Sequence, residues 1–497
     1  MPRAGARGGP GVPYIEIEYA SERACSRIGD GLHRQWIALV AVAALSSACS
    51  NEPADTIAAS TAVVYEGALL IPGDGSAPIA QSAFVVDGGM VTQIGTAADL
   101  DVPADAARVD LAGKTVMPAL IGAHGHVGYQ KGTTFSIENY SRETIYGDLR
   151  RAAYFGLGTV MTMGIDTPEF VYDIRDETAG GTAGVPRLRT AGSGIGGPNA
   201  GPGNATYARG VAYEVVTEEE GRAAVRDVAS NEPDTVKIWL DERGGRGQKM
   251  VPEVARAIID EAEMQGLKVT AHVRGHADAE VAVGAGAYAL AHLARDREMD
   301  DGLVAAIAER GVYVTPTLSM AERNTYAGTV PPWLQEPYLV GMLNDTVRED
   351  VIADLYQSFA DRSPEAAENA RNNYMFLHNT VTKLNVAGAL VILGCDTGLR
   401  NHFWGFAEHR ELELLVAAGL TPMQAIIAGT SRAAAYLDLD DLGTLAPGKI
   451  ADFLVLDANP LDDIINTRSI SSFYMQGSLV DRAALKAQLT GDVAGTN

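Results

Sequence analysis

Eight short apolar segments, each followed by a helical pattern, occupy the middle of the sequence from about residue 118 to 437. This succession is typical of parallel β/α units, because parallel neighbouring strands need a long crossover connection. One such helix begins near Pro252, carries apolar residues at helical spacing and ends at Gly266. The strands are predicted at 119–127, 158–164, 187–195, 235–241, 268–273, 288–294, 312–319 and 389–396.

Eight units of this kind predict an α/β fold, in which the strands close into a TIM-like (β/α)8 barrel over 118–437. A doubly wound open sheet is the alternative with the same order of elements. Strand-like segments bounded by glycine turns fill 60–117 and 438–497, and these two flanks are expected to pair into one small β domain. The segment from about 320 to 375 is predicted to form helices over the barrel mouth.

The first 48 residues have the pattern of an export signal. The apolar run 36–45 is too short to span a bilayer and precedes three small residues and Cys49. This arrangement resembles a bacterial lipoprotein processing site. We therefore expect a protein exported to the cell envelope or periplasm and anchored to the membrane through a lipidated Cys49. Ordinary cleavage after Ala48 is the alternative, and 49–59 would form a polar tether.

Cysteine and charge content narrow the functional classes further. Removal of the signal would leave only Cys49 and Cys395, so no disulfide framework is expected. With 39 Lys and Arg against 63 Asp and Glu, the formal net charge is -24. Such a surface lacks the clustered cations that a nucleic acid needs, so the expected partner is a small-molecule substrate. A homo-oligomer is also expected, although no particular residue indicates it.

Potential metal ligands lie at the ends of several predicted strands. His124 and His126 are two positions apart on the first strand, so both side chains point to the same face. His272, His292 and Asp396 end three other strands, and the carboxyl ends of barrel strands build the active site. Four imidazoles and a carboxylate suit zinc or a similar divalent ion. Five unrelated buried polar groups would each need a separate partner, which makes a shared site the better interpretation.

Lys237 is a sixth candidate, because it lies within the otherwise apolar strand TVKIWLD. A buried ammonium is costly unless it is paired or modified. One interpretation is an ion pair with a nearby carboxylate such as Asp241. The other is a lysine carbamylated by CO2, whose new carboxylate bridges two metal ions.

Several runs together resemble the amidohydrolase superfamily. They are VMPALIGAHGHV, VKI, AHV, LAH and LGCDTG, followed by HRELELLVAAGLTPMQAIIAGT and LGTLAPGKIADFLVLDANP. The similarity is closer to the bacterial imidazolonepropionase-like members, which include prolidase-type dipeptidases and amidases, and it covers nearly everything after residue 60. It implies a TIM-like barrel with a small composite β-sandwich domain formed by 60–117 and 438–497.

The resemblance also implies a ligand set for two divalent ions, expected to be Zn²⁺. His124, His126 and Asp396 would hold one ion, and His272 and His292 the second, with carbamylated Lys237 bridging them. Two positions depart from the family pattern without removing a ligand. Gly122 stands where Asp is common, and Cys395 stands where Thr is common. We expect Cys395 to be a small packed residue, and a redox- or inhibitor-sensitive position beside the metal is the alternative.

This ligand set predicts a binuclear-metal amidohydrolase that cleaves a C–N amide bond in a dipeptide or an N-acyl amino acid. A hydroxide shared by the two ions would attack the carbonyl, and Asp396 would take the proton and return it to the departing amine. A lactonase, esterase or phosphotriesterase is the enzymatic alternative. Deaminases with this type of barrel usually bind one metal and have a glutamate after the histidine that corresponds to His272. Deamination is disfavoured here, because VRG follows His272 and because Lys237 favours two metals. A non-catalytic metal-binding lipoprotein is the remaining alternative.

Candidate substrate-binding residues follow the strands that carry the ligands. Arg274 could clamp a substrate carboxylate, or it could pair with Asp278 or Glu280 at a helix start. His276 is expected to contact substrate or to cap a helix. Tyr129 and His402, the latter with its neighbour Trp404, complete the candidates.

One glycine motif is rejected as a nucleotide site. Gly192, Gly194 and Gly197 have dinucleotide-loop spacing after a strand, but PNAGPGN follows them instead of a helix. Because no helix N-terminus is then available for a pyrophosphate, we predict only a flexible loop over the site.

Overall fold

The computed structural model describes residues 61–491 except 103, 133, 202–207, 209, 327–330, 361–362 and 400. The predicted signal, the tether and Cys49 lie outside the described residues. Among those that are described, none of the helices combines the length and apolar character of a bilayer span.

Short strands and longer helices alternate through the middle of the chain, with strands at both flanks. The strands are β1 Val63–Leu70, β2 Ile79–Asp87, β3 Met90–Thr96, β4 Ala107–Asp110, β5 Thr115–Pro118, β6 Leu120–Gly125, β7 Gln130–Lys131, β8 Thr134–Phe135, β9 Leu157–Thr162, β10 Arg187–Thr190, β11 Ile195–Gly196, β12 Tyr213–Glu214, β13 Val236–Trp239, β14 Val269–His272, β15 Ala289–Ala291, β16 Tyr313–Thr315, β17 Leu390–Val391, β18 Phe453–Leu456, β19 Ile470–Met475 and β20 Ser478–Leu479.

Several helices begin with a side-chain cap, as α3 does, where Thr217 accepts from the backbone N–H of Glu220. The helices are α1 Arg142–Tyr154, α2 Pro168–Thr178, α3 Glu218–Ala229, α4 Pro252–Met264, α5 His276–Ala285, α6 Asp301–Glu309, α7 Leu318–Glu322, α8 Pro337–Val340, α9 Asp345–Ala360, α10 Pro364–Val386, α11 Phe406–Ala417, α12 Pro422–Ala428, α13 Ser431–Tyr436 and α14 Arg482–Gly491.

The parallel strands of the middle region form a barrel. β6, β9 and β10 pair in one sheet, and β11 and β13 to β17 pair in another. Backbone hydrogen bonds connect the two sheets on both sides. Ala123 of β6 donates to Leu393 beyond β17 at 2.8 Å, and Asp234 before β13 donates to Thr190 of β10 at 2.9 Å. The TIM-like barrel prediction is therefore confirmed, and the open doubly wound sheet was wrong.

A second sheet combines strands from both flanks in the order β20, β19, β18, β5, β1, β2, β3, with β4 beside β1. β18 pairs antiparallel with β5, so that Phe453 lies opposite Pro118. Its core is aromatic: Tyr65 stacks on Phe84 with ring centroids 4.9 Å apart, and Phe453 stacks on Tyr474 at 4.6 Å. The flanking sequences are thus joined by one sheet.

A buried ion pair connects this sheet to the barrel. Arg187 begins β10, and its Nη1 lies 2.5 Å from Oδ2 of Asp452, the residue before β18. The two side chains are only 1% and 5% exposed. Removal of either partner would leave an uncompensated buried charge, so the pair fixes how β18 lies on the barrel.

The segment predicted to be helical between about 320 and 375 is helical, since it contains α8, α9 and the start of α10. Met342 before α9 and Val347 within it line a cavity of about 130 Å³ together with Gln130 and Lys131 of β7, which follows β6. The insertion therefore packs against a loop at the carboxyl ends of the barrel strands.

Candidate metal centre and active site

All six predicted metal ligands line one cavity at the carboxyl ends of the barrel strands. Ile165, Trp239, Arg243 and Leu399 complete its wall. The ligands come from five different strands because each strand points its last side chains toward the same mouth. They are His124, His126, Lys237, His272, His292 and Asp396.

Asp396 is the centre of this group. Its Oδ1 lies 2.9 Å from Nε2 of His126 and 3.4 Å from Nε2 of His124, and its Oδ2 lies 3.9 Å from Nε2 of His292. Burial would raise the pKa of Asp396, but His292, His124 and His126 hold it well below the usual range. The carboxylate is therefore ionised and surrounded by nitrogen donors.

Two of the ligands lie on strained backbone. Asp396 has φ 59° and His292 has φ 76°, both in the left-handed region that side chains other than glycine adopt at a cost. Such strain is concentrated at functional sites, where the surrounding structure enforces it. Here it turns two side chains into the cavity at the ends of their strands.

Threonine hydroxyls orient two of the imidazole rings. Nδ1 of His124 lies 3.1 Å from Oγ1 of Thr315, and Nδ1 of His292 lies 2.8 Å from Oγ1 of Thr317. Bonding at Nδ1 leaves Nε2 of each ring directed at Asp396 and free to ligate a metal. We did not predict these threonines, although both lie in the segment 312–319 that the sequence predicts as a strand.

His272 extends the cluster on the other side. Its ring centroid lies 4.7 Å from that of His292, and its Nε2 lies 3.3 Å from Oδ1 of Asp241. Burial lowers the pKa of His272 to about 4 and that of His124 to about 3. Both imidazoles are therefore neutral near pH 7, as metal ligation requires.

Lys237 has a buried amine without a hydrogen-bond partner among the described residues. The ion pair with Asp241 that the sequence left open is not formed, because Asp241 faces His272 and accepts from the backbone N–H of Arg243 at 3.0 Å. Burial lowers the pKa of Lys237 to about 7. A partnerless, partly neutral amine beside neutral imidazoles and one carboxylate fits a divalent metal site and a modified lysine.

Comparison with known proteins shows which family the chain belongs to. The model of the Amidohydrolase family matches residues 115–480, which is most of the chain and includes all six ligands. The chain belongs to the Amidohydrolase family. It is therefore a hydrolase acting on C–N bonds, in a family whose members are generally metal-dependent.

Three relatives illustrate this membership. An ochratoxinase from Aspergillus niger is 26% identical over 448 residues, covering 83% of this chain and 84% of the relative. A prolidase candidate from Bifidobacterium longum has a TM-score of 0.66 and 26% identity, covering 88% of this chain and all of that one. A Xaa-Pro dipeptidase with bound methionine shares the fold, with a TM-score of 0.65, 22% identity and coverage of 84% and 99%.

The predicted substrate-binding residues of this amidohydrolase do not line the cavity. Tyr129 is fully buried in the core, where its hydroxyl donates to the carbonyl of Ile165. His276 begins α5 with its Nε2 3.0 Å from Asp300 and its Nδ1 2.9 Å from a guanidinium nitrogen of Arg297. These side chains already have partners inside the protein, and their contact with substrate stays a prediction.

Arg274 differs, because its side chain is exposed and makes no ion pair with Asp278 or Glu280 in the described structure. Asp278 instead pairs with Lys249 at 2.5 Å. The predicted helix-start ion pair of Arg274 is therefore not formed.

His402 and Trp404 contact the backbone carbonyl groups of two ligands. Nδ1 of His402 lies 3.3 Å from the carbonyl oxygen of Asp396, and Nε1 of Trp404 donates to the carbonyl of His126 at 2.8 Å. Burial lowers the pKa of His402 to about 3, so the ring is neutral. The structure thus places both behind the ligands, outside the cavity wall.

Two smaller predictions concern Cys395 and the glycine motif. Cys395 is fully buried, and burial raises the pKa of its thiol well above the usual value, which fits a packed, unreactive side chain. After Gly192 and Gly194 the chain forms the two-residue strand β11, not a helix. A Cβ on Gly194 would lie 2.3 Å from Trp239, so this glycine permits close packing beside the cavity.

Proposed function

We propose that this protein is an exported, binuclear-metal amidohydrolase that cleaves the amide bond of a dipeptide or an N-acyl amino acid. The observation that carries the proposal is the meeting of four imidazoles, one ionised carboxylate and a partnerless buried amine in one cavity. Burying so many polar groups together destabilises the fold, and a metal site gives a functional reason for this cost.

In this proposal, His124, His126 and Asp396 hold one ion, and His272 and His292 hold the other. Lys237, once carbamylated, would supply a carboxylate to both ions. The low pKa of Lys237 supports this role, because only a neutral amine adds to CO2. The donor types suit Zn²⁺.

Two divalent ions, when bound, acidify a shared water and polarise the scissile carbonyl. The chain's own contribution is proton transfer and orientation. Asp396 is ionised, so it accepts the proton of the attacking water and returns it to the departing amine. Thr315 and Thr317 hold the imidazoles of His124 and His292 so that their Nε2 atoms face the reaction.

Two relatives at 26% identity, an ochratoxinase and a prolidase candidate, support the proposed substrate class. We therefore place this protein among hydrolases of small amides. Export and lipidation are proposed from the apolar run 36–45 and Cys49. Labelled fatty acid should be incorporated into the parent and not into Cys49→Ser.

The test is hydrolysis of a panel of dipeptides, N-acyl amino acids, lactones and a phosphotriester, followed by mass spectrometry. The protein is loaded with zinc and bicarbonate, and an Asp396→Asn variant serves as the matched control. We expect only amides to be cut, with a rate loss in the variant above 10²-fold, because Asp396 is both ligand and proton carrier. Turnover of lactones or phosphotriesters alone would contradict the proposal, and no turnover at all would favour a binding role.

A further inference from the structure

Three consecutive barrel strands are each followed by an arginine near the cavity. Arg243 follows β13 and lines the cavity itself. Arg274 lies two residues beyond His272, at the end of β14, and Arg295 lies three residues beyond His292, after β15. Because consecutive β/α loops are neighbours at the barrel mouth, these arginines share one side of the site.

Contacts between the loops support this proximity. The backbone N–H of Arg295 donates to the carbonyl of Arg274 at 2.8 Å. Burial lowers the pKa of the Arg295 guanidinium, the charges of Asp396 and Asp241 oppose this effect, and the charges of Arg274 and Arg243 add to it. Arg295 therefore lies close enough to interact with Arg274, Arg243 and the ligand Asp396.

None of the three guanidinium groups forms an ion pair with a carboxylate in the described part of the chain. Nε of Arg243 donates to the carbonyl of Gly201 at 2.5 Å, and the buried Nε of Arg295 has no partner. Asp241, on the same loop as Arg243, faces His272, and the charge of Arg243 helps to lower the pKa of Asp241. Two further carboxylates on these loops are engaged elsewhere. Asp278 pairs with Lys249, and Asp296 accepts from the backbone N–H groups of His276 and Arg297.

This cationic group is unexpected in a chain of formal net charge -24. Such a protein repels anions at long range, so an anionic substrate needs a local concentration of positive charge. The buried Nε of Arg295 has a desolvation cost that a bound ligand would offset. Their planar fork matches a carboxylate in bidentate geometry.

We propose that the substrate amide contains an acidic amino acid, aspartate or glutamate, whose two carboxylates are bound by Arg243, Arg274 and Arg295. This inference rests on the proposed amide hydrolysis and names its substrate class. A substrate with one carboxylate would need only one bidentate arginine. Three arginines without ion pairs can bind two carboxylates. Arg295, the most enclosed of the three by its partnerless buried Nε, discriminates most strongly.

The experiment compares Ala-Glu with Ala-Gln and Ala-Asp with Ala-Asn, using the zinc-loaded protein. Each pair has nearly the same shape and differs by one charge. We expect kcat/KM to be at least about tenfold higher for the acidic member, as for a hydrogen bond to a charged group. Added salt should reduce that ratio, because the mouth is open to solvent.

Arg295→Gln is the decisive variant, and Arg256→Gln is its matched control. Arg256 is exposed on α4 and makes no ion pair among the described residues. In Arg295→Gln, the decrease in kcat/KM for Ala-Glu should exceed the decrease for Ala-Gln by about tenfold. Arg256→Gln should keep the parent ratio of kcat/KM between the two dipeptides. Equal rates for the two dipeptides in the parent, or a ratio that survives Arg295→Gln, would overturn the inference.

Binding of free amino acids separates this inference from the proposed function. Calorimetry should show that L-glutamate binds more tightly than L-glutamine, and that Arg295→Gln removes the difference. If no amide is cut but this difference is found, amide hydrolysis fails and the dianion site stands. If amides are cut without a preference for the acidic member, the dianion site fails and hydrolysis stands.

Discussion

The hydroxyl of Thr315 lies 3.1 Å from Nδ1 of His124, on the side of the ring away from Asp396. The hydroxyl bonds to one ring nitrogen and thereby directs the other, Nε2, into the cavity. The metal site therefore depends on residues that do not touch the metal, and the strand β16 that carries Thr315 belongs functionally to the site.

Thr315→Val should weaken metal binding, because valine has the shape of threonine without the hydroxyl that orients His124. Metal affinity should fall about 10- to 100-fold. Competition with a chelator measures this loss. Thr315→Ser keeps the hydroxyl and should stay close to the parent; an equal loss in both variants would show that packing, not hydrogen bonding, is responsible.

Lys237→Met should bind fewer metal ions than the parent, since methionine fills similar space but cannot carry a carbamate. We expect the second ion to be lost at micromolar free zinc. Elemental analysis after gel filtration gives the stoichiometry. Two ions bound to Lys237→Met as tightly as to the parent would contradict the bridging role of Lys237.

Arg187→Ala should destabilise the fold strongly, because it leaves Asp452 charged and 5% exposed. A loss of about 3 to 5 kcal/mol in the free energy of unfolding is expected for a broken buried pair. The matched control is Arg108→Ala, which breaks the surface pair with Glu66, whose side chains are 54% and 31% exposed. That change should cost at most about 1 kcal/mol. Urea unfolding measures both, and similar losses would contradict the assigned role.

Glu408 and Glu411 should make the folded state less stable as pH rises. Burial raises the pKa of each to about 7, above the value of about 4.3 in an unfolded chain. The resulting stabilisation is fully present below the unfolded pKa and is lost as pH rises through about 7.

The buried histidines act in the opposite direction at low pH, so the prediction concerns the difference between a variant and the parent. In Glu408→Gln, the decrease in Tm between pH 5 and 8 should be smaller than in the parent. Thermal unfolding at four pH values measures both slopes. Parallel slopes would show that Glu408 does not titrate in this range.

The ligand positions could be predicted from the sequence because they depend on one local property, the carboxyl end of a strand. His124 and Asp396 each follow an apolar run, and in a parallel barrel all such ends meet at one mouth. Eight strand and helix alternations were likewise sufficient for the barrel itself.

Residues in loops could not be placed in the same way. Tyr129 is three positions after His126, yet the turn at Gly128, with φ 85°, precedes it and its ring lies in the core. His276 depends on Arg297 from the next loop, and Thr315 on the register of β16 beside β15. These contacts join separate units, and spacing along one segment carries no information about them.

The pairing of β18 with β5 has a consequence for how this chain is made. Val116 and Met117 find their neighbours Val455 and Leu454 only after the entire barrel sequence has been synthesised. Until then the edge of β5 lacks its partner strand, and Arg187 lacks Asp452. A nascent chain therefore cannot complete its native structure early. The sheet at its amino-terminal flank stays incomplete until the last strands of the chain have been synthesised.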